Sequence, residues 1–193
     1  LSVVDPYVNA VVGLLLEFSY KPDVVDLGCG DFNVGARLRG ACGRYTACDV
    51  VPGMIEENIN RFSDVDVDFR CVDITKDEIP IGDVIFVRQV LQHLSNDQIS
   101  KFLERLPACR YLVVTEHHPR SSKFAPNVDK PIGPGTRMDR VLGAPSGVVL
   151  TEKPFGLQAE GTRTICEVEQ FGGIIRTIAY ENPSSPSSTL RTI

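Results

Sequence analysis

The chain has 193 residues, with 20 Lys and Arg against 25 Asp and Glu, a net charge of −5, 42% hydrophobic residues and no tryptophan. That length buries a core without disulfides or a structural metal. The acidic balance and the lack of any basic run exclude a general attraction to nucleic acid or to an anionic membrane.

The six cysteines form no Cys-x-x-Cys pair and no Cys/His cluster at zinc spacing. No metal site is therefore expected, and unpaired thiols suit a cytoplasmic protein. Asp5 and Pro6 read as the start of a helix over residues 5–18, with Val8, Val11, Val12, Leu15 and Leu16 as its apolar stripe. Polar breaks at Asn9 and Glu17, the missing basic leader and the short length argue for a core-packing helix, not a membrane segment.

A first strand over 23–27 runs into the turn Gly28-Cys29-Gly30, followed by a helix over 33–41 and a second strand from Tyr45 to Val50. Pro52 opens a helix with Met54, Ile55, Ile59 and Phe62 at helical spacing. Residues 65–71 alternate apolar and charged as a strand that ends at Val72-Asp73-Ile74, and 83–87 is a buried strand. Ser95 and Asn96 open a helix through Leu106, and Tyr111 to Glu116 is the fifth strand.

Residues 117–148 are rich in Pro, Gly, Arg and Lys, and hold at most a short helical turn near Arg137 to Leu142. A loop of that length is more often functional than idle. Arg163 to Gln170, a Phe171-Gly172-Gly173 turn and Ile174 to Glu181 form a closing β-hairpin, and a flexible tail is expected over 182–193. The organisation is one domain over 1–181, with 117–160 as an insertion on the substrate side. The class is α/β: a Rossmann-like, seven-stranded, mostly parallel sheet with helices on both faces and a C-terminal antiparallel hairpin.

In such sheets ligands bind beyond the carboxyl ends of the strands. Gly28 and Gly30 follow the first strand, Asp49 the second, Asp73 the third, and Arg88 to His93 the fourth. Glycines let a ligand approach the backbone, and Asp49, nineteen residues after Gly30, is spaced to accept from ribose hydroxyls. A dinucleotide fingerprint would place a third glycine at position 33, where Asn33 stands. Asp26 and Asp31 flank the turn and favour a cationic ligand.

Val24-Val25-Asp26-Leu27-Gly28-Cys29-Gly30, Asp49, Val72-Asp73-Ile74, and Asp83 to Val87 followed by Val90-Leu91-Gln92-His93-Leu94 resemble the class I S-adenosylmethionine-dependent methyltransferases. The resemblance covers roughly 5–116 and 163–181, and Phe32 stands where the family often has its last glycine. It implies S-adenosylmethionine as cofactor, with the methionine and ribose parts on Gly28, Cys29 and Gly30 and the amino group near Asp26. It also implies ribose on Asp49 beside Val50, adenine on Asp73 and Ile74, and Arg88 and Gln89 near the sulfonium. Cys29 otherwise reads as a small turn filler. Asp49 and Asp73 have helix-capping or solvated roles as alternatives.

All three histidines, His93, His117 and His118, follow strands on the ligand side. His93 and His118 are the candidate catalytic residues, as general base or acceptor contact, with capping and packing as the alternative. The Asn/Asp-Pro-Pro-Tyr motif of nucleic-acid amino methylation, a cysteine pair for base-carbon methylation and a paired-glutamate loop are all absent from the sequence. The implied function is methyl transfer to a small molecule, with 117–160 as lid or wall. Arg120, Lys123, Lys130, Arg137 and Arg140 would either meet an anionic acceptor or be solvated. A non-catalytic cofactor-binding or structural module is the alternative, and a nucleotide-cofactor oxidoreductase ranks third for want of a glycine at 33 and of a Tyr-x-x-x-Lys pair. No oligomeric state is legible.

Overall fold

The computed structural model of the protein describes residues 3–121, 123–138 and 145–184. Apolar alternation along the strands gives two buried sheet faces, and helices cover both. The strands are β1 (Val24–Leu27), β2 (Tyr45–Asp49), β3 (Asp68–Cys71), β4 (Val84–Arg88), β5 (Tyr111–Pro119), β6 (Gly161–Gln170) and β7 (Gly173–Glu181). They form one sheet in the order β3-β2-β1-β4-β5-β7-β6. The first five run parallel, and β7 pairs antiparallel with both β5 and β6.

The helices are α1 (Val4–Leu15), α2 (Asn33–Leu38), α3 (Pro52–Arg61) and α4 (Asn96–Arg105). Val25, Leu27, Ile85, Val87 and Leu112 pack on one face against Ile99, Phe102 and Leu103 of α4. Their strand neighbours Val24, Phe86 and Val113 point the other way, onto Tyr7, Val11 and Leu14 of α1 and Leu38 of α2. α4 starts with a capping box, in which the Ser95 hydroxyl accepts from the Gln98 amide and the Gln98 side chain accepts from the Ser95 amide.

Several local expectations change. Asp5 does not cap α1 but forms an ion pair with Arg37 at 2.8 Å, and the helix begins at Val4. The strand expected over 65–71 forms only at Asp68–Cys71, on the edge of the sheet, where one side has no partner to hold the rest of the alternating run. β5 runs three residues beyond Glu116, because β7 pairs with it as far as Pro119↔Gly173. His117 and His118 are therefore strand residues and not the start of a loop.

The 117–160 segment divides in two. Its later part delivers Val148, Leu150, Phe155 and Leu157 into the α4-side core, covering sheet that a crossover helix would otherwise cover. Of the tail expected over 182–193, Ser184 bridges to Gln158, and residues from 185 lie outside the described residues. The helical turn expected near Arg137 to Leu142 lies outside them from 139 onward, and Arg140 with it.

Candidate active site

The chain leaves β1 toward β2 on one side and returns to β4 on the other, so the switch of strand order falls beside β1. A crevice is expected there, beyond the carboxyl ends. A cavity of about 400 Å3 occupies that place, bounded by Gly28, Asp49, Val50, Asp73, Ile74, Arg88, Gln89, Val90 and His93 among others. A larger cleft of about 730 Å3 lies at the amino ends. Within it Arg44 pairs with Asp23 at 2.6 Å and Arg70 with Asp68 at 2.5 Å.

The cradle is built from backbone conformation. Gly28 and Gly30 have φ of +79° and +54°, a region that side chains rarely adopt. A Cβ on Gly28 would lie 2.2 Å from Cγ2 of Val90, whereas one on Gly30 would meet open space. The amides of Gly28 and Cys29 both donate to the Cys48 carbonyl, at 2.8 and 2.9 Å. Asn58 of α3, buried, donates to the Gly30 carbonyl at 2.7 Å. Asn58 was not singled out in the sequence; its signal is an amide on the apolar stripe of a helix.

Phe32 takes the place of the missing glycine with φ of 55° and is completely buried. Its ring meets Tyr45, Phe62 and Phe69 edge-on, with centroids 5.0–5.4 Å away. Burial of the ring offsets the left-handed backbone. Gly35 makes room for it, since a Cβ there would lie 2.3 Å from the ring.

Asp49 sits at the end of β2 with one oxygen accepting from the Gly30 amide and the other from the Val51 amide, both at 3.0 Å. A carboxylate offers about four acceptor positions, so capacity remains for ligand hydroxyls. Asp73 both caps and lines the cavity. Its Oδ1 accepts from the Thr75 amide and hydroxyl, and Oδ2 lies 3.0 Å from exposed Lys76. The Thr75 hydroxyl holds the Asp73 carboxyl below the usual carboxylate range, against the opposing effect of partial burial.

Asp26 points to the α1 side of the sheet, away from the cavity wall, and accepts from the Tyr45 hydroxyl at 2.9 Å. Burial pushes its carboxyl up to about 6, against that hydrogen bond. Arg88 stacks over the Tyr7 ring at 5.2 Å and keeps a buried Nε with no hydrogen-bond partner. Cys29 is half-buried, and burial pushes its thiol far up, which suits a filler and not a nucleophile.

The candidate histidines separate. His93 lines the cavity, with Nδ1 3.1 Å from the Pro134 carbonyl. A carbonyl only accepts, so the ring proton belongs on Nδ1, and Nε2 is the acceptor, 3.4 Å from the Gln92 side-chain amide nitrogen. His118 is 1% exposed, under Phe124 and Gly147, outside the cavity lining, and burial lowers it to about 4. His117 faces the other side, 2.9 Å from the Gln170 carbonyl.

The cations of the inserted segment are mostly committed. Lys130 donates to the carbonyls of His93, Pro131 and Gly133, and Arg120 pairs with Glu169. Arg137, 1% exposed, donates to the Val128 and Leu94 carbonyls and to Asn96 Oδ1. Lys130 and Arg137 are thus buried and bound to main chain, which neither expectation for them had included. Lys123 is exposed. Glu116 is 1% exposed and accepts from the amides of Val90, Leu91 and Gln92. Burial pushes it up to about 8, against those three donors. No group of acidic, histidine and cysteine side chains fit to hold a metal occurs among the described residues.

Residues 24–109 match the family model of a methyltransferase domain. Over that stretch the chain is similar to methyltransferase domains. Its resemblance to a curated relative, the malonyl-[acyl-carrier protein] O-methyltransferase of Acetivibrio thermocellus, is 36% identity over 74 residues. That alignment covers 37% of this chain and 26% of the relative, so the matched part spans about a quarter of the relative's length. The N-methyltransferase NodS of Bradyrhizobium japonicum WM9, solved with S-adenosyl-L-homocysteine, aligns with a TM-score of 0.57 at 18% identity, over 90% of this chain and 86% of that one. Magnesium protoporphyrin IX methyltransferase of Synechocystis PCC 6803, solved with bound S-adenosylmethionine, aligns at 0.55 and 18%, over 91% and 78%. At these identities the two structures establish the fold alone.

Proposed function

We propose that the protein binds S-adenosylmethionine in the cavity beside β1 and transfers its methyl group to a small-molecule acceptor. The observation that carries this reading is Asp49. Its carboxylate, already bonded to the Gly30 amide, holds spare acceptor capacity at the rim of an open glycine turn. That pairing fits a ribose lying over the turn.

Val50 and Ile74 offer apolar wall and Asp73 an acceptor on the adenine side of the cavity, while Arg88 and Gln89 face the methionine side. Asp26 lies behind that side, where the Arg88 charge favours its ionised form. When bound, the cofactor supplies an electrophilic methyl group, so the protein's main task is to hold an acceptor in line with it. Such positioning supplies roughly 7–11 kcal/mol. His93, once its Nε2 exchanges the Gln92 amide for the acceptor, takes the proton of an acceptor that must lose one, a contribution of about 10²–10⁴-fold.

Calorimetry with S-adenosylmethionine, S-adenosylhomocysteine and NAD tests the reading. Both adenosyl ligands should bind and NAD should not, and Asp49→Ala should weaken adenosyl binding by about 1–3 kcal/mol. Binding of NAD alone would overturn the reading. Tight adenosyl binding with no S-adenosylhomocysteine released across an acceptor screen would favour a non-catalytic module.

A further inference from the structure

The cavity wall Gln89–Leu94 is irregular backbone, and its placement has to come from neighbours. Gln89 has φ of 55°, a left-handed conformation that is costly without support. The wall then makes a single 3-10 turn over Leu91–His93. Val90 stands against the glycine turn, at the spot where a Cβ on Gly28 would collide with it. A small shift of the wall would therefore change the cradle itself.

Three successive amides of this wall have no partner within it and turn instead to one side chain. Val90 and Leu91 donate to Oε1 of Glu116, at 3.2 and 2.8 Å, and Gln92 donates to Oε2 at 3.1 Å. Glu116 is on β5, the strand next to β4, and is buried on the α4 side of the sheet. From the outside the inserted segment holds the same wall. Lys130 donates to the His93 carbonyl at 3.1 Å, Arg137 to the Leu94 carbonyl at 2.8 Å, and the His93 ring meets the Pro134 carbonyl. The Arg137 charge also favours the ionised form of Glu116.

We propose that Glu116 is a positioning residue of the binding cavity: it holds the Gln89–Leu94 wall against the Gly28 turn, with Lys130 and Arg137 latching that wall from the other side. Glu116 touches neither cofactor nor acceptor. It acts through Val90, Gln89 and His93. The inference rests on the cavity being the S-adenosylmethionine site, and it gives the inserted segment the role of a clamp on that site.

Hydrogen exchange and S-adenosylhomocysteine binding, measured on the full chain, test this. In the wild type the Leu91 and Gln92 amides should exchange slowly. Glu116→Gln keeps a carbonyl oxygen for Val90 and Leu91 but sets an amide against the Gln92 N–H. Exchange should then speed at Gln92, stay slow at Leu91, and leave affinity within about threefold. Glu116→Leu keeps the volume and removes every acceptor; it should speed exchange at all three amides and weaken binding by about tenfold to a hundredfold, the cost of losing buried hydrogen bonds. A Leu variant that melts cooperatively and binds within twofold of wild type would overturn the proposal.

If Glu116→Leu does not fold, unchanged Gln92 exchange in Glu116→Gln would overturn the proposal equally. If the wild type binds no adenosyl ligand, the cofactor reading fails. The exchange pattern still decides whether Glu116 holds the wall.

Discussion

Gly28 and Gly30 share a left-handed backbone but are needed for different reasons. Gly28 is hemmed in by Val90, so Gly28→Ala combines backbone strain with a collision and should cost about 1–3 kcal/mol of stability, read from denaturant unfolding. Gly30→Ala meets no protein atom, and its methyl would instead project into open space at the cradle. It should therefore lose S-adenosylhomocysteine affinity with a smaller loss of stability. The glycine pattern was plain in the sequence, but this division of labour was not, because Val90 reaches Gly28 only across the β1–β4 pairing. His93 is the other single residue with a distinct expectation. His93→Gln should leave S-adenosylhomocysteine affinity near wild type and lower turnover about a hundredfold or more with an acceptor that must lose a proton. An unchanged rate in a single-turnover assay would show that positioning suffices.

Among the elements, β5 and the segment after it depart furthest from a reading by pattern. Apolar residues from Tyr111 to Val114 announce a strand, and the strand continues through Thr115, Glu116, His117 and His118 because β7 lies opposite each in an antiparallel ladder. Thr115 meets Thr177 across that pairing at 3.0 Å. The Pro- and Gly-rich composition after β5 reads as a long loop, with 117–160 as lid or wall, yet Leu150 is 1% exposed in the core under the sheet. Leu150→Ala should accordingly destabilise the protein by about 2–5 kcal/mol in a urea titration, as a core leucine does. A solvent-facing loop residue would cost under about 0.5 kcal/mol.

For the molecule as a whole, three buried titratable groups shape stability against pH. Glu116, raised by burial from 4.5 to about 8, keeps its proton in the folded state where the unfolded chain has lost it. Stability therefore falls as pH rises through that interval. Asp26, raised by burial from 3.8 to about 6, acts in the same sense over its lower window. His118, lowered by burial from 6.5 to about 4, acts oppositely: the unfolded chain binds the proton first, so stability rises with pH between those values. Below pH 6.5 the histidine opposes the carboxyls, and from there to about 8 Glu116 alone of the three remains. Melting temperature should decline across that last window in the wild type and lose this decline in Glu116→Gln.

Strand alternation, the Gly28-Cys29-Gly30 turn, the Ser95 cap and the order of acidic residues at strand ends are carried by near neighbours along the chain, and they sufficed to read a parallel sheet with a nucleotide-like cradle. Each depends on a local period or a local φ, which composition and spacing record directly. Glu116 turning inward to three amides, Arg137 buried against carbonyls, and Asp26 spent on Tyr45 are of another kind. A charged side chain reads as solvent-facing until distant segments fold over it and offer partners. Those partners come from the turn after β4, from the start of α4 and from β2, and their burial of these charges is a property of packing, not of any stretch of sequence.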